Sequence, residues 1–502
     1  MAGSSDLTQQ QETSGPAAAV PALQRPDLGG QVIRNTAANL VGRGLALVFS
    51  AGATVVLARF LGSEKLGQFG AIYAYLALFA WLATFGFEPV LVREISRERE
   101  NASSLLHTAI VLSALLSAGT VVVAILLAPM AGYAGHLRTL LILAALEYIL
   151  GPLRLPALMF QVDMRQWYGA TINVVRQGLW FALIVALWLA GASLGYVIAG
   201  RVLAAVVESS LMWGYSRRFL SQTGRFLRER AGTLLAHSFP IAFASLVAMI
   251  YLRIDQVMLH KMVSDSVLGQ YVAAVKVSEL FEMLPMALMS ALAPILCVTA
   301  ADPERFQSYI DRMFRYFMVI ASGLCVFMTV GARLIVRVLY GSQFLPAAPL
   351  LAVLIWSEIA VFFAAVIGNV LVARNEQRLF PIPTLLGAVV NVGLNLLWIP
   401  RYAAAGAAWA TLVSYTLAWM VSLLFFKQAR SIVWQGWRFA LPALGGALLA
   451  VATVRLLPLG GPARVGISMV LFFAAMCAAR MIRHEDLVVF RSALARGAHA
   501  LR

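Results

Sequence analysis

The chain has 502 residues, 61% of them hydrophobic and 12% charged, with a mean hydropathy of +0.81. Soluble domains carry about 25% charged residues, and a soluble core of this size cannot hide so much apolar surface, so the composition excludes a soluble enzyme and points to an all-α polytopic membrane protein. The formal net charge of +16 then belongs to arginines at helix ends that fix topology and touch anionic lipid, and no nucleic-acid partner is expected.

Residues 1–31 are rich in Ser, Gln, Pro and Ala and lack an apolar core, so they read as a disordered cytoplasmic tail and not as a signal peptide. A helix needs about 20 apolar residues to span a bilayer, and about fourteen segments qualify. Six lie near 33–58, 69–92, 105–129, 138–160, 168–190 and 194–215, and form an expected N-lobe over 32–216. A basic cytoplasmic linker follows at 217–237. Six more, near 238–262, 268–300, 313–335, 346–373, 379–400 and 404–427, form a C-lobe over 238–430. Two extra helices, near 436–458 and 463–482 within 431–483, precede a cytoplasmic tail at 484–502. Pro152 and Pro156 in the fourth segment and Pro285 and Pro294 in the eighth predict kinks.

With the N-terminus inside, the cytoplasmic loops hold 24 Lys and Arg, including "REISRERE" (93–100), while the other face holds nine. That bias places both termini in the cytoplasm. Three cysteines lie in apolar segments, no CxxC occurs, and the six histidines do not cluster, so no disulfide frame and no metal site is expected. No GxxxxGK[ST] loop occurs, and no cofactor is called for.

An internal repeat supports two lobes. "LGQFGA" (66–71) opens the second segment and "LGQYVA" (268–273) opens the eighth, 202 residues later. Six helices separate the copies, so the halves run in parallel orientation, an arrangement that in transporters puts the site between them.

Charges inside the membrane carry the functional signal. Thr36, Asn39, Arg43, Ser50 and Thr54 form one polar stripe on the first helix. On the seventh, Arg253, Gln256 and His260 share a face, while Asp255 points elsewhere with Tyr251 and needs a partner on another helix. Glu147 and Arg154 are seven apart on the fourth helix, as are Arg201 and Glu208 on the sixth. Asn173, Arg176 and Gln177 share the fifth; Lys276, Glu279 and Glu282 the eighth; Glu358 and Asn369 the tenth; Asn391 and Asn395 the eleventh. Some of these sets read equally as ion pairs that hold helices together. Arg43, Arg176 and Arg253 have no acid on their own face and are the candidates for an external anion.

Several stretches carry a family resemblance. "LRIDQVMLHKMVSDSVLGQYVAAVKVSEL" (252–280), "GNVLVARNEQR" (368–378), "NVGLNLLWIPRYAAAGAAWATLVSY" (391–415) and "ARFLGSEKLGQFGAIYAY" (58–75) resemble, in order and spacing, the polysaccharide-export flippases of the multidrug/oligosaccharidyl-lipid/polysaccharide exporter superfamily. One departure stands at Ala404 or Ala405, where the family often has a glycine in a loop turn. The resemblance implies two six-helix lobes around a central V-shaped cavity. It also implies flipping of undecaprenyl-pyrophosphate-linked oligosaccharides across the bacterial inner membrane, alongside a polysaccharide polymerase and chain-length regulator of the same pathway. Relatives that flip peptidoglycan precursors use cavity arginines, which points to Arg43 and Arg253.

The residue chemistry fits a lipid-linked oligosaccharide substrate. Guanidinium forks match phosphate oxygens, and amide and hydroxyl faces replace water around sugars. The expected substrate-facing set is Arg43, Asn39, Arg176, Arg253, Gln256, Lys276, Asn391 and Asn395. Asp255, Glu279 and Glu358 are the candidates for ion coupling. The alternatives are a cation-coupled multidrug exporter of the same superfamily, for which an acid-dominated cavity is expected whereas six intramembrane acids only match six bases in number, and a peptidoglycan-precursor flippase. A membrane-embedded polysaccharide polymerase is a remote one, because no large external loop carries a catalytic constellation.

Overall fold

A computed structural model describes residues 28–163, 165–219, 224–299, 302–458 and 460–482, and everything it describes is helix, turn or short connection. The expected tails therefore lie outside the described residues, except that 28–31 already begin the first helix. In chain order the α-helices are α1 (Leu28–Ala77), α2 (Ala80–Thr84), α3 (Phe87–Arg97), α4 (Ala102–Leu127), α5 (Gly135–Ile149), α6 (Met159–Val162), α7 (Trp167–Leu189) and α8 (Leu194–Ser216). They continue as α9 (Arg228–Met262), α10 (Asp265–Thr299), α11 (Pro303–Tyr340), α12 (Ala347–Leu354), α13 (Ser357–Ala373), α14 (Pro381–Thr416), α15 (Lys427–Leu456) and α16 (Gly461–Ala478). An all-helical chain is what hydrocarbon demands, since each backbone N–H and C=O must be satisfied within its own segment.

Among the described residues, 11 helices are long and apolar enough to cross a membrane. The expected count of fourteen is not reached by this measure, for identifiable reasons. Two of the 11 contain a backbone break, at Gly62 (φ 70, ψ 178) and Ala403 (φ 49, ψ −131). The first is a 50-residue element that, if straight, would be about 75 Å long, more than twice the hydrocarbon thickness. α10 (Asp265–Thr299) is outside the 11, although its second half, beyond Glu282, is an uncharged apolar run. Gly62 accepts its conformation without strain, whereas Ala403 holds a conformation that costs an L-residue. The break at Ala403 thus lies in the expected connection between 400 and 404, beside the positions where the family often has a glycine, and is strained.

Local chemistry sets the other ends. Asp302 caps α11, its carboxylate accepting from the backbone N–H of Glu304 and Arg305, with Pro303 in the first turn. Pro152 and Pro156 do break their segment, which narrows to a 3₁₀ stretch over Gly151–Leu158. α10, by contrast, stays helical through Pro285. We call the face where α1 begins the terminal face, and the one at Gly62, Gly132, Val263 and Gly341 the far face.

The first half of the chain (28–216) meets the second along α1 with α10 and α9, and α15 and α16 pack on α11. The repeat is a point of very close approach between the halves. A Cβ on Gly67 would fall 1.9 Å from the Asp265 carbonyl oxygen, and one on Gly269 would fall 1.7 Å from that of Ser63. The two contacts are equivalents of each other under the 202-residue offset of the repeat. Two crossed basic side chains extend this symmetry at the far face. Arg59 donates to the carbonyls of Leu339 (2.7 Å) and Val338 at the end of α11, while Lys261 donates to that of Met130 (3.2 Å) just beyond α4.

Candidate functional site

The intramembrane charges gather in three places. In the first half, two ladders tie the fourth and sixth expected segments. Arg201 Nε lies 3.1 Å from Glu147, and Arg154 Nη1 lies 3.3 Å from Glu208. Both pairs are 54 residues apart, which requires that the two segments run parallel and in register. Tyr73 donates to Glu147 at 2.8 Å, and the Arg201 guanidinium sits 3.9 Å over the Tyr73 ring, a cation–π contact. Arg176 Nε is 3.2 Å from Glu208, within ion-pair range but off the hydrogen-bonding angle, and its Nη2 donates to Asn173. The set Arg154, Arg176, Arg201, Glu147 and Glu208 keeps one positive charge in excess.

In the second half, Glu279 bridges two bases: Arg253 at 2.5 Å and Lys276 at 2.7 Å. Behind this triad lies a buried polar layer. Asp255, 6% exposed, accepts from the Tyr271 hydroxyl and from the Gln256 backbone N–H, so the partner it needed comes from α10. Asn395 donates to Asn391 and Asn391 to Ser414. Ser278 donates to Glu358 at 3.1 Å. Gln256 Nε2, Asn395 Oδ1 and Glu358 Oε2 are buried with no hydrogen-bond partner among the described residues. Polar atoms in this condition call for water or an ion.

The third place is α1. Arg43 is exposed and makes no ion pair or hydrogen bond among the described residues. Asn39 lies in the helix, but its side chain is outside the described residues. Of the expected anion-binding arginines, then, Arg43 stands free, while Arg176 and Arg253 each meet a glutamate contributed by another helix. The structure brings Arg253, Lys276 and Glu279 together, and Asn391 with Asn395. It keeps Arg176 in the other half and places Gln256 in the Asp255 layer. His260 leaves the Arg253 grouping: it pairs with Asp265 at 2.9 Å and stacks on Tyr133 across the halves. Tyr73, Tyr271, Ser278 and Ser414 were not anticipated, because a tyrosine or serine in an apolar run has no periodic signature. Among the described residues no three His, Cys, Asp or Glu side chains converge as a metal site.

Comparison with known proteins decides the family. The model of the family described as "Polysaccharide biosynthesis protein" matches residues 56–349, more than half of the chain. The chain belongs to this family. One relative of this family member is the probable low-salt glycan biosynthesis flippase Agl15 of Haloferax volcanii, 25% identical over 424 residues, which cover 82% of this chain and 87% of that protein. Another is the probable flippase AglR of the same organism, 24% identical over 54% of this chain and 56% of that one. Among solved structures, lipid II flippase MurJ in an inward closed conformation superposes with a TM-score of 0.71 over 91% of this chain and all of that one, at 14% identity. An inward-facing MATE-family multidrug resistance transporter of the MOP superfamily gives 0.62 over 79% of this chain, also at 14% identity. The family member thus has the fold shared by those two structures and is a multi-pass membrane protein.

Proposed function

We propose that this protein flips a lipid-linked glycan, an oligosaccharide on undecaprenyl pyrophosphate or a similar polyprenyl carrier, from the cytoplasmic to the periplasmic leaflet by alternating access. The observation that carries this reading is Arg43, a guanidinium on the membrane-embedded first helix with no counter-charge among the described residues. The excess positive charge of the Arg154–Arg176–Arg201 set stands behind it. Such groups fit a pyrophosphate. Family membership and the flippase names of the glycan-pathway relatives support the same direction. On this reading both termini are cytoplasmic, the membrane is the bacterial inner membrane, and a polymerase and a chain-length regulator work on the product. Asp255, Glu279 and Glu358 are the groups proposed to couple transport to H⁺ or Na⁺.

The deciding experiment reconstitutes the protein into proteoliposomes with a fluorescent polyprenyl-pyrophosphate sugar and follows protection of the sugar from an external reagent. Flipping dependent on the protein is expected. A second reading, cation-coupled drug export, is favoured by the second half alone, where Asp255, Glu279, Glu282 and Glu358 outnumber Arg253 and Lys276. Drug efflux without lipid flipping would replace the first reading with this one.

A further inference from the structure

At the far face the chain turns from α9 into α10 through Val263 and Ser264, and this corner presses on the first half. His260, in the last turn of α9, lies on the ring of Tyr133, with ring centroids 4.5 Å apart and planes inclined by 25°. Its Nδ1 is 2.9 Å from the Asp265 carboxylate at the start of α10. Lys261 reaches the Met130 carbonyl, and the Ser63 and Ser266 hydroxyls meet at 2.9 Å. The His260 side chain is 6% exposed.

Tyr133 gives the histidine a fixed surface. It is fully buried, donates its hydroxyl to the Ala71 carbonyl at 2.7 Å, and rests against Tyr75. The two partners of His260 differ in where they come from. Asp265 belongs to the same half and stays with His260 when the halves part. Tyr133 belongs to the other half, so the stack exists only while the far face is closed.

Imidazole is the side chain whose unperturbed titration lies between about pH 5 and pH 8. Neutral, it offers Tyr133 a stacking contact and Asp265 a hydrogen bond. Protonated, it adds a cation–π attraction to the first and an ion pair to the second. The incoming proton goes to Nε2, because Nδ1 already uses its hydrogen on the carboxylate. The ionisable groups facing the ring are Asp265 from α10, Lys261 from α9 itself, and Tyr133 with Tyr75 behind it from the first half. The Lys261 ammonium is held by the Met130 carbonyl, whereas the Asp265 carboxylate touches the ring nitrogen, so the charge in contact with the ring is negative.

We propose that His260 is a proton-binding site on the far face, and that the bound proton fastens the two halves together there. The proposal goes beyond the flippase reading, since it concerns closure of the far face and not what is carried. In the orientation given above, the proton arrives from the periplasm. Closure and proton binding favour each other: the added contacts are present at low pH and lost as pH rises through the imidazole range.

Spin labels at the exposed Thr139 and Ser342, one on each half, report the far-face separation of the full chain in nanodiscs. Between about pH 8 and about pH 5 the closed-to-open ratio should rise by about tenfold. His260→Gln should hold one ratio at every pH. Tyr133→Phe keeps the ring and should keep the response, whereas Tyr133→Leu removes the ring and should flatten it. A wild-type ratio that does not change with pH, whether the face is open or closed throughout, overturns the proposal. So does a response that survives in His260→Gln or in a folded Tyr133→Leu protein. No lipid is transported in this experiment, so its failure leaves the flippase reading standing.

Discussion

Gly67 and Gly269 face each other backbone to backbone. A Cβ on the first would meet the Gly269 nitrogen at 3.0 Å, and one on the second would meet the Gly67 nitrogen at 3.1 Å. Each also has a carbonyl of the opposite half inside 2 Å of that position. Alanine ordinarily improves a helix by about 1 kcal/mol over glycine. Here Gly67→Ala and Gly269→Ala should instead destabilise the protein by about 1–3 kcal/mol or more through overpacking. Thermal unfolding in detergent checks it, and a raised midpoint in either variant contradicts the contact.

Ala403 predicts the opposite sign. Its φ of 49° is a cost that glycine does not bear, so Ala403→Gly should stabilise by about 1 kcal/mol. The same unfolding measurement applies.

Arg43 and Arg253 should behave differently although both are arginines in the membrane. Arg43→Ala removes a group with no partner among the described residues, so the protein should insert with wild-type stability and lose transport. Arg253→Ala also strips a counter-charge from Glu279, so it should lose stability as well, by about 1–3 kcal/mol. Surface polysaccharide and detergent unfolding, measured together, separate the two. Normal polysaccharide in a folded Arg43→Ala protein argues against an anion site there.

The ladders make a pairing prediction. Glu208→Gln leaves Arg154 and Arg176 without their acid and should cost about 1–3 kcal/mol. The exchanged double variant Arg154→Glu with Glu208→Arg should recover part of that loss. A double-mutant cycle with zero coupling would show that the pair is not formed.

How much of this was legible beforehand differs from residue to residue. The parallel repeat was readable because both copies keep Leu-Gly-Gln at one offset, and the glycines are demanded by backbone contact. The ladders were half readable. Glu147 with Arg154 and Arg201 with Glu208 stood out at seven-residue spacing, and the reversed order of charge is the signal that the two helices pair with each other. Arg253 was read as lacking an acid because periodicity compares residues on one helix only, whereas Glu279 arrives from the next one. The buried Asp255–Tyr271 bond was unreadable for the same reason. The break at Ala403 falls in the expected connection between the segments near 379–400 and 404–427, but its strain was not legible, since nothing in an alanine marks a positive φ.

Glu98 gives a pH dependence outside the membrane. Arg230, and secondarily Asn101, hold its carboxyl below the usual range. A lowered pKa means that the link between the halves at the terminal face is present at neutral pH and lost as pH falls through that lowered range. Spin labels at Ser96 and Gly232 should show a distance distribution that broadens on acidification. In a Glu98→Gln protein it should be broad throughout. A distribution indifferent to pH in the wild type would show that the pair does not hold the halves together.

The crossed bonds of Arg59 and Lys261 end on main-chain oxygens, those of Leu339, Val338 and Met130. An acceptor supplied by the backbone survives any side-chain change, so sequence drift can break these bonds only from the donor end. In a saturation mutagenesis scan the far face should therefore show a lopsided tolerance: positions 130, 338 and 339 permissive toward other residues of similar size, and positions 59 and 261 restricted to long basic side chains.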